Sequence, residues 1–479
     1  MFSTLTVIST EEIKAIQDTS LAILRDVGVR LPHQQILEVL AQAGAEVDFQ
    51  HETVHMGERL VLEAIAKAGK QHIWYGRDGS RQARFGYGDA VICSTAGQYA
   101  WIEKPGGPRR DPNRKDVSDA IRVGDALENV DIVGAMAVPV DVSLPIRDVY
   151  LTGELVKGTT KPGHCWVADG TTLAYILEIF EAVAGGREAH SQMPRIQGFV
   201  EPISPLGFAR PGLEILLLCA QRGLPLSFGP MAQSGATAPV TLAGTLAQEN
   251  AEVLAGITIA QVIQPGLPVC YGGIPHVMDM REMLISFGSP EQGIMATAMI
   301  QIAKNYGFPV YVNVGCGDSK LPDIQTGLER GMLMLMGALA GGDLLGHMGI
   351  CGADQGASLE QLVIDNAMIS YVKRILRGFS VSDETLALDL IKKVGISGNY
   401  LAEEHTVKHF RKEIWIPKGF DRRNWDAWYS DGAHSMADWA IAQVEHIRSH
   451  HTPPLPDAHL IQEIDRIVAA AERQLVKPA

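Results

Sequence analysis

Apolar and polar positions follow two rhythms along this chain. From about residue 115 onward, stretches with apolar residues every three or four positions alternate with short, β-branched, nearly all-apolar runs. The first pattern reads as helix with one buried face, the second as strand buried on both sides. Strands are expected at 132–140, 163–168, 195–200, 225–228, 268–271, 309–314, 343–348 and 378–381, each preceded by a helix. Eight such units in about 250 residues are the length and order of a closed (β/α)8 barrel, and strands apolar on both faces require a parallel sheet covered by helices. The fold class is therefore α/β, a (β/α)8 TIM barrel.

Two flanking regions depart from this rhythm. Residues 1–114 hold three helical patterns, the first opening on a cap-like Thr10-Glu11-Glu12 and the others at about 32–43 and 57–68, then turn-rich pairs such as Tyr87-Gly88 that suggest small hairpins. Residues 398–479 carry Trp415, Trp425, Trp428 and Trp439 and a last amphipathic helix with Leu460, Ile464, Ile467 and Val468 on one stripe. We read 1–114 as an N-terminal helical and small-strand extension, 115–397 as the barrel and 398–479 as a C-terminal helical tail. The tail tryptophans are expected to pack on the barrel, with an oligomer contact as the alternative use of so much aromatic surface.

In a parallel barrel the chemistry sits in the loops after the strands. That rule nominates Asp141, Asp169, Glu201, Met231, Tyr271, Cys316 with Asp318, and His347 with Cys351. Gly315, Gly317, Gly346, Gly349 and Gly352 would let a ligand approach the backbone. Three chemistries compete. His347, Cys270, Cys316 and Cys351 are zinc-ligand types, though scattered cysteines are more often small packed hydrophobes. Glu201 with Asp141 or Asp169 could form a glycosidase-like acid pair, although no spacing sets their distance. Aromatics at predicted strand ends, Tyr99, Trp166, Phe228 and Tyr271, could wall a site for a quaternary ammonium group.

Bulk properties narrow the field. At 479 residues the chain can bury a full core, and its net charge of -14 argues against nucleic acid or an anionic membrane as partner. Six cysteines without a CxxC pair point to a reduced, cytoplasmic setting. The N-terminus shows no basic-then-apolar leader, and apolar runs are too broken to span a bilayer. No GxGxxG or GxxxxGK[ST] appears, so no nucleotide cofactor is expected.

The run Gly315-Cys316-Gly317-Asp318-Ser319-Lys320-Leu321-Pro322-Asp323 resembles the trimethylamine methyltransferase superfamily, as do Gly235 to Gly244, Asp383 to Asp389, His405-Thr406, His409-Phe410-Arg411, Trp428 and Pro453-Pro454-Leu455. The resemblance implies a barrel that moves a methyl group from an amine to the cobalt of a separate corrinoid protein, with no bound metal of its own. Archaeal trimethylamine enzymes of the family carry pyrrolysine after the sixth strand, where this chain has Gly315, Cys316 and Gly317. A tertiary amine needs help to become a leaving group, whereas a quaternary ammonium is already charged. The expected activity is therefore a pyrrolysine-free transfer from a quaternary amine, with glycine betaine foremost, as in members resembling glycine betaine methyltransferases. The alternatives are a zinc-dependent corrinoid methyltransferase and a non-catalytic betaine-binding protein. The expected site comprises Tyr99, Trp166, Phe228 and Tyr271 as cage walls and Glu201 as countercharge. Gln98 and His347 would bond a substrate carboxylate, and Cys316 and Asp318 would lie on the adjoining loop. A cognate corrinoid protein is the expected partner, and a homo-oligomer is left open.

Overall fold

The computed structural model describes residues 5–476. The first four residues of the segment read for a leader, and the last three of the tail, lie outside them. Eight strands and eight helices alternate as β1 (Val91–Ser94), α1 (Arg114–Ala126), β2 (Val133–Gly134), α2 (Arg147–Gly158), β3 (Gly163–His164), α3 (Gly170–Ala184), β4 (Gly198–Val200) and α4 (Arg210–Gln221). They continue as β5 (Leu226–Phe228), α5 (Leu242–Ile263), β6 (Val269–Gly273), α6 (Pro290–Tyr306), β7 (Val310–Asn313), α7 (Ile324–Ala340), β8 (Leu344–Met348) and α8 (Leu359–Arg377). Parallel ladders join β4 through β8 in order, and β8 returns to β1 with Leu344 opposite Val91. The circle runs on through a Cys93–Ile132 bridge into the parallel pair β2–β3. This is the (β/α)8 barrel expected, although among the described residues no ladder joins β3 to β4.

One expected strand is misplaced. Residues 378–381 form no strand and expose Phe379 and Val381. The barrel position between β8 and β2 is filled instead by Val91–Ser94, all four residues of which are buried. Strand β3 is also shorter than the 163–168 run, because the chain leaves the sheet after His164.

Two apolar layers follow. Trp74, Phe85, Cys93, Ile132, Cys270, Tyr311 and Cys316 fill the barrel's interior, while a larger cluster packs the helices against its outside. Helix α5 is buried on nearly every face, because the helix Thr10–Asp26 covers the side it turns away from the barrel; a helix apolar all round must be enclosed. The antiparallel hairpin His72–Tyr75 with Gln82–Phe85 closes the N-terminal end. There Tyr75 N donates to Pro194 O (2.9 Å) and Trp74 Nε1 to Arg195 O (3.0 Å), just ahead of β4. The opposite, C-terminal end stays open. None of the helices among the described residues is long and apolar enough to cross a membrane.

After α8 come four short helices, α9 (Asp383–Leu386), α10 (Leu388–Val394), α11 (Glu404–Glu413) and α12 (Trp425–Ser430), then α13 (Met436–His450) and α14 (Ala458–Leu475). Helices α13 and α14 pack back on the barrel helices, burying Ala440, Val444, Ile464, Ile467 and Ala471. The tail tryptophans divide. Trp415 sits between Tyr371 of α8 and Phe420 of the tail, and Trp439 lies against Gly419. Trp425 is exposed.

Candidate active site at the barrel mouth

The loops after the strands surround a cavity of about 570 Å3 at the open end. Gln98 and Tyr99 reach it from the β1 loop, Trp166 from beyond β3, Glu201 from beyond β4, Asn313 from the end of β7, His347 from β8 and Asp354 from the loop after it. A second chamber of about 400 Å3 lies deeper, between β3 and β4, and shares Trp166, Glu201 and His347 with the mouth. It occupies the seam the ladders leave open.

Each side chain has a local reason for its place. A bulge between Leu345 and Met348 re-aims the end of β8. His347 N donates to Asn313 Oδ1 (3.1 Å), and the ring approaches the Tyr311 hydroxyl at 3.3 Å. It also stacks with His164 at 6.2 Å and meets the Trp166 ring edge-on at 6.0 Å. Burial, then the His164 ring, lowers its pKa to about 3, so the imidazole is neutral at physiological pH. Trp166 is pinned by its Nε1, which donates to Gly97 O at 3.0 Å. Gln98 Nε2 donates to Asp354 Oδ1 at 2.7 Å, tying the β1 loop to the β8 loop across the mouth. Desolvation, then the neighbouring Asp354, raises the Glu201 carboxyl, and desolvation raises that of Asp354 even against the Gln98 bond. Both side chains are nonetheless open to solvent at the mouth, so the two carboxyls face one aromatic-walled cavity from its wet side.

The structure therefore brings Gln98, Tyr99, Trp166, Glu201 and His347 together and leaves four expected residues out. Phe228 is 0% exposed and packs in the outer core against Gly256 of α5. Tyr271, 1% exposed, points the same way and donates its hydroxyl to Asn250 Oδ1 at 3.0 Å. Neither walls a cage. Cys316 is buried inside the barrel, where desolvation pushes its thiol up to about 12. Asp318 acts one step away: it accepts from Ser286 Oγ (2.5 Å) and Phe287 N (2.8 Å), and Phe287 is the residue that lines the mouth.

Other expectations are corrected too. A Cβ on Gly315 would meet Met348 Sδ at 2.5 Å, and one on Gly346 would meet Cys93 Sγ at 2.9 Å, so these glycines admit protein rather than ligand. Asp169 caps α3 by accepting from the amides of Thr171 and Thr172, and Asp141 accepts from Arg114 N, so neither pairs with Glu201 as a second acid. Among the described residues no three of His, Cys, Asp and Glu gather to hold a metal ion. Sequence reasoning passed over Asp354, Phe287 and Arg109. Their only signal is position in Gly-rich loops close to the nominated ones.

A (β/α)8 barrel whose C-terminal mouth gathers aromatic faces and raised carboxyls has the architecture of an enzyme class that works at that face. The particular family follows from comparison: the profile of the family described as trimethylamine methyltransferase (MTTB) matches residues 1–475, and the chain belongs to that family of methyltransferases. It is 32% identical over 460 residues to the trimethylamine methyltransferase MttB of Desulfitobacterium hafniense, covering 94% of this chain and 90% of that one. It is 31% identical over 485 residues to MttB of Methanosarcina barkeri, covering 98% and 96%. The glycine betaine methyltransferase of D. hafniense is 27% identical over 474 residues, covering 98% of each chain. The solved monomethylamine methyltransferase MtmB of M. barkeri superposes with a TM-score of 0.47 at 12% identity, covering 97% of this chain and 91% of that one.

Proposed function

We propose that this methyltransferase takes a methyl group from a quaternary amine, glycine betaine foremost, and delivers it to a corrinoid carried by a separate protein. The observation that carries the reading is the mouth itself, where Tyr99, Trp166 and Phe287 meet the carboxyls of Glu201 and Asp354. Aromatic faces and nearby anionic groups favour a cation that cannot donate hydrogen bonds. Such a group needs no prior protonation to leave, which fits a chain with no pyrrolysine.

Arg109 completes the complementarity for a betaine. It lines the same mouth, where its Nη1 donates to Gln355 O at 3.1 Å, and it offers the planar donor pair that a carboxylate prefers. His347, being neutral, acts as a hydrogen-bond partner rather than a countercharge. The residues fit a corrinoid partner in one respect: the cavity opens on the C-terminal face, where a second protein can bring a large flat group onto it. When bound, the corrinoid supplies the Co(I) that accepts the methyl carbon. This chain's residues orient the amine, hold its charge and exclude water.

The test is absorbance of reduced cob(I)alamin with glycine betaine, proline betaine, carnitine, choline and trimethylamine offered singly. Conversion to methylcobalamin with glycine betaine is expected. Conversion with trimethylamine alone would overturn the quaternary-amine reading, and ligand binding without conversion, also with the corrinoid protein from the same source, would favour a binding protein.

A further inference from the structure

The chamber between β3 and β4 is larger than close packing leaves in a protein interior. Among the described residues no ladder joins these two strands. The opening of about 400 Å3 runs through the barrel wall, from Tyr311 and Leu344 inside to Ile176 and Phe180 of α3 and Ile215 of α4 in the helix layer. Native interiors keep few voids larger than a water molecule, so an unfilled space of this size marks a place for a ligand. Its walls are mostly apolar, and ordered water needs several polar partners, so water is a poor permanent occupant.

The few polar groups say what kind of ligand part fits. Ser227, 1% exposed, lines the chamber with an Oγ that has no hydrogen-bond partner. Gln197 faces the same space, but its Oε1 already accepts from His72 Nε2 at 2.6 Å. Among the described residues no Lys or Arg lines the chamber. It therefore suits an uncharged apolar group with at most one or two polar atoms, because a buried charge without a partner is costly.

The chamber meets the mouth at Trp166, Glu201 and His347. Under the activity proposed above, the trimethylammonium group lies against the aromatic faces and carboxyls of the mouth, and Arg109 faces the substrate carboxylate. Both groups hang from one α-carbon, which in glycine betaine otherwise carries only hydrogens. A substituent on that carbon can enter the chamber without displacing either group. Resting on that activity, we infer that the chamber is a side-chain subsite, and that the preferred substrates are Nα-trimethyl betaines of larger amino acids with an uncharged aromatic or branched apolar side chain. Glycine betaine is the smallest member of the class and leaves the subsite empty. Ser227 Oγ serves one polar atom on the side chain, such as a phenol hydroxyl or a ring nitrogen.

The experiment is titration calorimetry of the full chain with glycine betaine, Nα-trimethylphenylalanine and Nα-trimethylglutamate, followed by the cob(I)alamin assay with each. Trimethylphenylalanine is expected to bind more tightly than either of the others by about tenfold or more, the gain from taking a phenyl ring out of water, and to be demethylated with the highest kcat/KM. Gly212→Leu fills the chamber from the first turn of α4, where a Cβ meets only Val200 Cγ1, at 3.6 Å, and the helix accepts it. This variant is expected to shift the ratio of the two affinities toward glycine betaine by about tenfold or more. Trimethylphenylalanine bound no more tightly than glycine betaine, or a ratio that Gly212→Leu leaves in place, would overturn the inference while methyl transfer from glycine betaine stands. Selective binding of trimethylphenylalanine with no methyl transfer, also with the corrinoid protein from the same source, would support the subsite and overturn the proposed activity. Binding of none of the three would overturn both.

Discussion

Asp365 is the place to ask whether charge holds the mouth in shape. Its Oδ2 accepts from Arg330 Nη1 at 2.9 Å and from Gly349 N at 2.8 Å, and its Oδ1 accepts from Gln361 Nε2 at 2.8 Å. Both members of the pair are buried, and Arg330 also donates to Gly315 O and Ile350 O. One ion pair therefore fastens the loops after β7 and β8 to helices α7 and α8, with His347 between them. Burial works most strongly against the Arg330 charge, but the attraction of Asp365, together with smaller contributions from Cys351, Cys316 and Glu329, more than offsets it and raises the guanidinium, which stays protonated. Asp365→Asn keeps the shape and removes the charge. It leaves a guanidinium uncompensated away from water, a cost of about 3–5 kcal/mol. Replacing both partners, as in Arg330→Met with Asp365→Asn, compared with wild type and each single variant, removes the stranded charge. It still leaves the Gly315 and Ile350 carbonyls without that donor, at about 1–3 kcal/mol each. The double variant should thus cost less than the sum of the single variants by about 2 kcal/mol or more. Urea unfolding followed by tryptophan fluorescence measures all four proteins. If Asp365→Asn lay within about 1 kcal/mol of wild type, or the double variant equalled the sum, the pair would not be holding the loops and this account of the mouth would be wrong.

The remaining expectations concern the site and its titration. Glu201→Gln and Asp354→Asn should each raise KM for a quaternary amine about five- to thirtyfold, the equivalent of about 1–2 kcal/mol of lost attraction; an unchanged KM in both would remove the countercharge role. Because both carboxyls are raised, binding in wild type should strengthen as pH rises through their titration, and that rise should flatten in the variants, as KM measured against pH would reveal. Trp166→Ala should weaken the same ligands by about 1–2 kcal/mol, whereas Phe228→Leu should lower the unfolding midpoint and leave KM alone. Cys316→Ala should retain turnover within about twofold, and the native thiol should resist alkylation until the protein unfolds, since a group pushed to about 12 is not a thiolate at neutral pH. His72 and His190, buried and lowered to about 4, and His347, lowered to about 3, take up protons more readily when unfolded. Stability should therefore fall as pH drops below about 6.5, by about 1.4 kcal/mol per pH unit for each, until their folded pKa values are reached. Urea midpoints at pH 7 and pH 5 would test this.

What local pattern can and cannot convey is visible in two residues. Phe228 and Tyr271 sit at strand ends, as expected, but side chains alternate faces along a strand. Their neighbours Ser227 and Cys270 point inward, Ser227 lining the deep chamber and Cys270 filling the interior, so Phe228 and Tyr271 must face the helices. A shift of one position decides between cage wall and outer core, and in a strand apolar on both faces no periodicity reports it. The alternation of eight helices and strands was legible because each element carries its own burial pattern. The first strand was not, because Val91–Ser94 lies in a turn-rich stretch that reads as small hairpins, and a short run by itself does not say which sheet it joins. Only pairing with Leu344–Met348, some 250 positions away in sequence, places it in the barrel. Gln98, Tyr99, Trp166 and Glu201 were legible for the opposite reason. They lie just beyond strand ends, where the chain must turn over the mouth whatever the strand's parity. Asp354 lies deeper in its loop and arrives there because Ala353 and Asp354 both take the left-handed conformation, at φ 52° and 68°. That conformation is uncommon for such residues, and here it turns the loop back over the cavity, where Gln98 meets the carboxylate. The polar half of the mouth is thus set by a backbone turn that side-chain types alone do not announce.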